Sequence, residues 1–211
     1  MDTISPSALK ARLAGGDEIA LIDVREYGQY GEGHPFFAVN LPYSQLEILA
    51  PKLLPSFRSF IVAFDDDDGV AVRALDRLSA LGYQRLALLE GGAPGWEATG
   101  YQLFRGVNVP SKTFGELVEH ALHTPRITAP ELNAKVRAGE RLIILDGRTP
   151  AEYNKMNIPG GASCPNAELP LRINQFVSDP TTTIVINCAG RTRSIMGAEN
   201  LRRFGVPNPI L

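Results

Sequence analysis

Along this chain, short unbroken apolar runs alternate with longer segments in which apolar residues recur at helical spacing. The runs are ALIDVR, SFIVAF and RLALLEGG in the first half and RLIILDGR and TTTIVINC in the second. Each is too short for a helix and nearly continuous, as a strand buried on both faces should be. Between them lie AVRALDRLSALG and RSIMGAENLRRFG, with apolar positions three and four apart and a glycine stop, Gly205 in the second. ITAPELNAKVRAGE opens with Thr128 in helix-capping position. Strand, tight loop, helix and strand in that order predict an α/β fold, with a central, mainly parallel sheet flanked by helices.

The pattern occurs twice. A shift of 123 residues lays Asp23 on Asp146, Arg25 on Arg148, Tyr30 on Tyr153 and Pro42 on Pro165. It also lays Ile61-Val62 on Ile184-Val185, Leu78 on Leu201 and Gly82 on Gly205, with no gap from Ile4/Ile127 to Leu88/Leu211. So long a period excludes a solenoid and predicts two homologous globular domains. We place the first at 1–106 and the second at 125–211, joined by a linker, 107–124, with a short amphipathic helix. His120 and His123 could share one face of that helix. A metal pair would need a third ligand, which the sequence does not offer, so a solvated connector is expected.

The second copy stops at the equivalent of Leu88. It has no counterpart of the Gly91-Gly92 turn or of the segment with Trp96, the only tryptophan and an expected core anchor. We therefore expect a second domain incomplete at its C-terminus, a fragment with further domains beyond Leu211, and a bare sheet edge open to dimerisation or domain exchange.

Composition narrows the classes. With 44% hydrophobic residues, 21% charged and a net charge of -2, nothing suggests a nucleic-acid or membrane-binding field. No apolar stretch is long enough to span a membrane, and the start, MDTISPSALK, does not read as a signal peptide. Two cysteines make no disulfide framework, so a reducing, cytoplasmic setting is expected.

One cysteine stands in a chemical context. In INCAGRTRS, Cys188 is expected to end a strand, Ala189 to Arg193 to form a turn, and a helix to start near Ser194. A thiolate there would face turn N–H groups and the positive end of a helix dipole. Arg191 and Arg193 would add two fixed positive charges, and Gly190 would let the backbone curl. All of these favour the thiolate, which is the nucleophile. The plain alternative is an inert buried cysteine.

The Cys-x4-Arg loop CAGRTRS resembles the active loop of rhodanese domains. So do LIDVREYGQYGEGH and LEGGAPGW in the first copy and LDGRTPAEYNKMNIPGGASCP in the second; the likeness covers nearly the whole chain outside the linker. It implies two rhodanese-like domains and a thiosulfate sulfurtransferase. A sulfane sulfur would pass from thiosulfate, or a similar small anionic donor, to a Cys188 persulfide and on to cyanide or a thiol. Ala189, Gly190, Arg191, Thr192, Arg193 and Ser194 would cradle the persulfide and steer the donor. Asp146 and Arg148 stand as candidates for support behind the loop, or as a structural ion pair. No metal or organic cofactor is implied.

The first copy departs from the family at the decisive place: Asp65 stands where the second has Cys188, in the loop DDDDGV. This domain is expected to be catalytically silent. Asp65 to Asp68 would form a solvated acidic turn capping the next helix or, alternatively, bind a cation. Asn157 replaces the histidine found at His34, a position expected to be structural, and Cys164 is expected to be a small buried residue or, alternatively, a resolving thiol. Two rivals remain: a persulfide carrier serving a thiolation partner, and a Cys-loop phosphatase or arsenate reductase, whose loop would be one residue longer.

Overall fold

The computed structural model describes residues 2–16 and 18–211. It divides into two compact units, Met1–Val109 and Pro110–Leu211. In the first, the described residues form a sheet of β1 (Asp2–Ile4), β2 (Ile19–Asp23), β3 (Val39–Asn40), β4 (Phe60–Phe64) and β5 (Arg85–Leu89). Its order is β1-β5-β4-β2-β3, and every pairing is parallel. The helices are α1 (Pro6–Gly15), α2 (Tyr27–Glu32), α3 (Leu46–Leu53), α4 (Val70–Ala80) and α5 (Gly92–Ala98). One sheet face packs Ile22, Leu46, Leu75 and Leu78; the other packs Leu9, Leu21, Phe64 and Trp96. Burying each such side chain contributes about 1.5–3 kcal/mol, which is why the unbroken apolar runs become the central strands.

In the second unit, α6 (Val109–Leu122, entered from the last residue of the first unit) and α7 (Ala129–Arg137) precede β6 (Leu142–Asp146), α8 (Pro150–Lys155) and β7 (Ala162–Ser163). Then come α9 (Leu169–Phe176), β8 (Thr183–Asn187), α10 (Thr192–Arg203) and β9 (Pro209–Ile210). The sheet order is β7-β6-β8-β9, again all parallel. Leu145, Leu169, Ile184, Ile186 and Leu201 fill one face, and Leu132, Ile144 and Val185 the other. Thr128 caps α7 as expected: its Oγ1 accepts from the Glu131 N–H, and the Glu131 carboxylate reaches back to the Thr128 N–H.

The repeat is visible bond by bond. Tyr30 Oη donates to Ala38 O and Tyr153 Oη to Gly161 O. Arg25 binds Asp23 and Gly33 O; Arg148 binds Asp146 and Met156 O. His34 Nδ1 meets Tyr30 O at 2.8 Å, and Asn157 Nδ2 donates to Tyr153 O at 3.1 Å. Asn157 thus makes the bond that the histidine makes in the first unit.

Three expectations need correction. Cys188 lies one residue beyond β8, because the ladder with β6 ends at the Asp146–Asn187 pair. The edge beside β9 is not bare: Ile127 N donates to Leu211 O and Leu211 N to Pro125 O, so residues 125–127 lie where β1 lies in the first unit. The connector helix is not simply solvated. A Cβ on Gly115 would come within 3.0 Å of Thr192 Cα, so α6 lies directly against the start of α10. Thr124 Oγ1 fastens the end of this segment to the buried Glu199 carboxylate at 2.5 Å. Among the described residues, no helix is long and apolar enough to cross a membrane.

Candidate active site

Cys188 is half-buried, at the mouth of the turn between β8 and α10. Its neighbours are set by a sharp reversal. Arg191 has φ 67 and ψ -48, and Thr192 N donates back to Gly190 O at 2.9 Å. This i to i+2 closure is a γ-turn of the strained, left-handed kind. It lets α10 begin at Thr192, two residues earlier than expected near Ser194. The conformational burden thus falls on Arg191; Gly190, which the sequence suggested for that task, does not have positive φ.

The reversal turns N–H groups toward the sulfur. Gly190 N donates to Cys188 Sγ at 3.4 Å, and Sγ lies 3.5 Å from Ser194 Oγ, whose own hydroxyl donates to Arg191 O at 2.8 Å. Burial pushes the thiol up. The Ser194 hydroxyl and the N–H groups of Gly190, Ser194 and Arg193 outweigh it and bring Cys188 below the ordinary cysteine value. By contrast, Cys164 is fully buried, and desolvation pushes its thiol up. That environment suits a packing residue and not a second thiolate.

The two arginines are not the free charges that the sequence suggested. Arg193 donates from both terminal nitrogens, each at 2.9 Å, to the two oxygens of Glu152. Glu152 also accepts from Thr149 Oγ1 and N–H in a capping box. Held first by Arg193 and then by Thr149, its carboxyl falls to about 2. Arg191 is ion-paired with Glu119 of α6. The remaining loop residues, Ala189 and Thr192, contribute turn and helix start; Thr192 Oγ1 donates to Ser111 O at 3.4 Å.

Behind the loop, Asp146 and Arg148 form a buried pair. Burial pushes Asp146 up, but hydrogen bonds from Arg148 and then Asn187 outweigh it, and the carboxyl lies below its ordinary value. Asn187 Nδ2 donates to Asp146 Oδ2 at 3.2 Å, so the pair reaches the residue next to Cys188. Asn166 is a further contributor: its Nδ2 donates to Arg193 O at 2.6 Å, tying the loop to the chain after β7. Sequence reasoning missed Asn166, Asn187, Glu119 and Glu152. Only Glu152 carried a readable signal, the Thr-x-x-Glu pattern of a capping box.

A cavity of about 190 Å³ opens beside the sulfur, lined by Ile127, Leu132, Ile158, Val185, Cys188 and Arg191 among others. A larger one, of about 550 Å³, lies along β1 and β5 of the first unit, but no cysteine lines it. Chemistry therefore selects the smaller cavity.

In the first unit, Asp66 to Asp68 are exposed, as expected of a solvated turn, but Asp65 is buried. Its Oδ1 accepts from Asp67 N at 2.9 Å and its Oδ2 from Ala71 N at 2.7 Å. These are the positions of Gly190 and Ser194 in the repeat. The carboxylate thus fills the cradle that holds the sulfur in the second unit. Among the described residues, no group of three or more His, Cys, Asp or Glu gathers to hold a metal.

A β-strand–turn–α-helix cradle around a thiol with a lowered pKa, on a duplicated parallel α/β fold, defines the class. The chain belongs to the rhodanese-like domain family, which matches residues 5–99 and 128–211. Among its relatives is a thiosulfate sulfurtransferase of Azotobacter vinelandii, 31% identical over 169 residues, or 71% of this chain and 60% of that protein. The crystal structure of thiosulfate sulfurtransferase from Pseudomonas aeruginosa superposes with a TM-score of 0.93 at 46% identity, over 100% of this chain and 40% of that one. A putative sulfur carrier protein of Bacillus subtilis, YrkF, is 34% identical over 87 residues, 41% of this chain and 46% of its own length. The chain therefore spans less than two thirds of the length of each of these relatives.

Proposed function

We propose that the chain is a sulfurtransferase that moves a sulfane sulfur from thiosulfate, or a similar anionic donor, through a persulfide on Cys188 to cyanide or a thiol. The observation that carries this reading is the Cys188 sulfur in its N–H cradle, with a pKa below the ordinary cysteine value. The thiolate attacks the outer sulfur of thiosulfate. A Cys188–sulfur bond forms, the bond to the sulfonate sulfur breaks, and sulfite leaves with the electron pair. The terminal sulfur of the persulfide carries the negative charge, and the fixed N–H groups stabilise it without reorganising. The acceptor then attacks that sulfur and regenerates the thiolate, in a two-stage scheme. The Asp146–Arg148 pair holds the loop from behind, through Asn187. No metal or organic cofactor enters this scheme.

The first rhodanese-like domain is catalytically silent in this reading, since Asp65 has no sulfur to offer and its carboxylate occupies the cradle. The likeness to a putative sulfur carrier favours one second reading, in which the persulfide is handed only to a protein partner. The reducing cytoplasm is the compartment that suits a free thiolate with no structural disulfide.

Intact-mass spectrometry after incubation with thiosulfate tests the reading. The expected result is a gain of one sulfur that cyanide reverses and that Cys188→Ala abolishes. Release to a protein thiol but not to cyanide or small thiols would favour the carrier. No uptake from thiosulfate would refute the sulfurtransferase.

A further inference from the structure

The two loop arginines are held in different ways. Arg193 is built in: two parallel hydrogen bonds join it to Glu152, whose carboxylate is itself fixed by the Thr149 capping box. Such a forked pair is geometrically specific and hard to replace. Arg191 meets Glu119 through one terminal nitrogen only. It is half exposed and also lines the cavity that contains Cys188. Its backbone lies in the left-handed region, which a glycine would adopt with less strain. Glu119 is mostly buried, and its second cation, Arg126, is 3.5 Å away and largely in solvent. Arg191 thus stands at the tip of the loop, next to the nucleophile, with its charge committed to a single carboxylate of α6.

We propose that Glu119 is a specificity-determining residue that holds Arg191 in reserve, and that a dianionic sulfur donor draws Arg191 off Glu119 and onto itself beside Cys188. The inference rests on the sulfurtransferase reading and adds to it a selection for donor charge. A donor with two negative charges competes with one carboxylate for the same guanidinium, whereas a donor with one charge gains less from the exchange. Arg193, locked to Glu152, takes no part in this exchange.

Two donors of similar shape separate the charge from the chemistry. Thiosulfate is a dianion; methanethiosulfonate, with a methyl group in place of one oxygen, is a monoanion. In both cases the Cys188 thiolate attacks the outer sulfur and the sulfur–sulfur bond of the donor breaks. Sulfite leaves from the first and methanesulfinate from the second, each taking the electron pair. The second-order rate constant for persulfide formation is read by intact mass at low ionic strength.

Glu119→Gln, which keeps the size and a hydrogen-bond acceptor, is expected to raise loading by about five- to tenfold with thiosulfate and about two- to threefold with methanethiosulfonate. Arg191→Gln is expected to lower loading by about tenfold and threefold in the same order, and to erase the effect of Glu119→Gln in the double variant. Arg191 is half in solvent, so this second arm stands even if the Glu119 variant folds poorly. Equal changes with both donors, or a donor ratio that Arg191→Gln leaves untouched, would overturn the proposal while the sulfurtransferase reading survives. Wild-type protein that takes sulfur from neither donor would remove that reading, and this inference with it.

Discussion

Replacing Asp65 with alanine tests whether the first unit keeps a working anion cradle. The carboxylate accepts from two N–H groups, those of Asp67 at 2.9 Å and Ala71 at 2.7 Å, in a site where Asp65 is only 3% exposed. A buried donor left without a partner costs about 1–3 kcal/mol, so two cost roughly 2–6 kcal/mol. Burial is the first influence on the Asp65 carboxyl and outweighs these bonds, so the carboxyl lies above its ordinary value; relief of that penalty, with water entering the vacated space, offsets part of the cost. The expected loss is therefore about 2–4 kcal/mol. For a domain of this size, this lowers Tm by roughly 10–20 °C. Trp96 is the only tryptophan and is buried in the core of this unit, so its fluorescence reports unfolding of the first unit specifically. Asp65→Asn, which keeps one acceptor, should lose about half as much. Denaturant curves in which Asp65→Ala stays within about 0.5 kcal/mol of wild type would show that the N–H groups do not need the carboxylate, and the reasoning would fail.

Three further outcomes follow from the second unit. Ser194→Ala removes the hydroxyl that lies 3.5 Å from the sulfur and that can turn from Arg191 O to a thiolate, so the Cys188 pKa should rise. The pH dependence of alkylation, with Cys188→Ala as the blank for Cys164, measures it, and an unshifted profile would contradict the assigned role. Gly115→Ala puts a methyl 3.0 Å from Thr192 Cα and should destabilise this unit by about 1–3 kcal/mol, visible in denaturant unfolding followed by circular dichroism; no change would mean that α6 is not seated on α10. Glu152 has a folded-state pKa of about 2 against an ordinary value of 4.5, so its stabilising contribution is complete above 4.5 and is lost as the pH falls toward 2. Acid titrations of wild type and Glu152→Gln should accordingly differ above 4.5 and converge near 2, and curves that stay parallel throughout would exclude that linkage.

Much of the fold was legible because its central strands are unbroken apolar runs and because the chain repeats them. The shift that lays Ile61 on Ile184 also lays β4 on β8, and β2, α2, β3 and α3 on β6, α8, β7 and α9. What the pattern could not show was too short to have a period. β3 and β7 have two residues each, and α8 has six. The place of residues 125–127 beside β9 rests on two backbone hydrogen bonds, which have no side-chain signature at all.

The candidate site was legible in its cysteine and misleading in its charges. Arg191 and Arg193 stand within five residues of Cys188, and counting along the chain makes them a cationic loop. Their carboxylate partners lie 72 and 41 residues away, on α6 and α8, and only the tertiary fold brings them in. What lowers the Cys188 thiol is the Ser194 hydroxyl first, and then the N–H groups of Gly190, Ser194 and Arg193 presented by the turn. The first unit supports this attribution from the opposite direction. Its loop shares neither arginine nor the cysteine, yet N–H groups at the same two positions hold an anion, the Asp65 carboxylate. The backbone N–H groups are common to both units, while the balance differs: Cys188 lies below its ordinary value, and Asp65, where burial wins, lies above it. The strand–turn–helix geometry thus supplies the cradle in both units, and the residue at its centre decides whether the group held there is a carboxylate or a thiol.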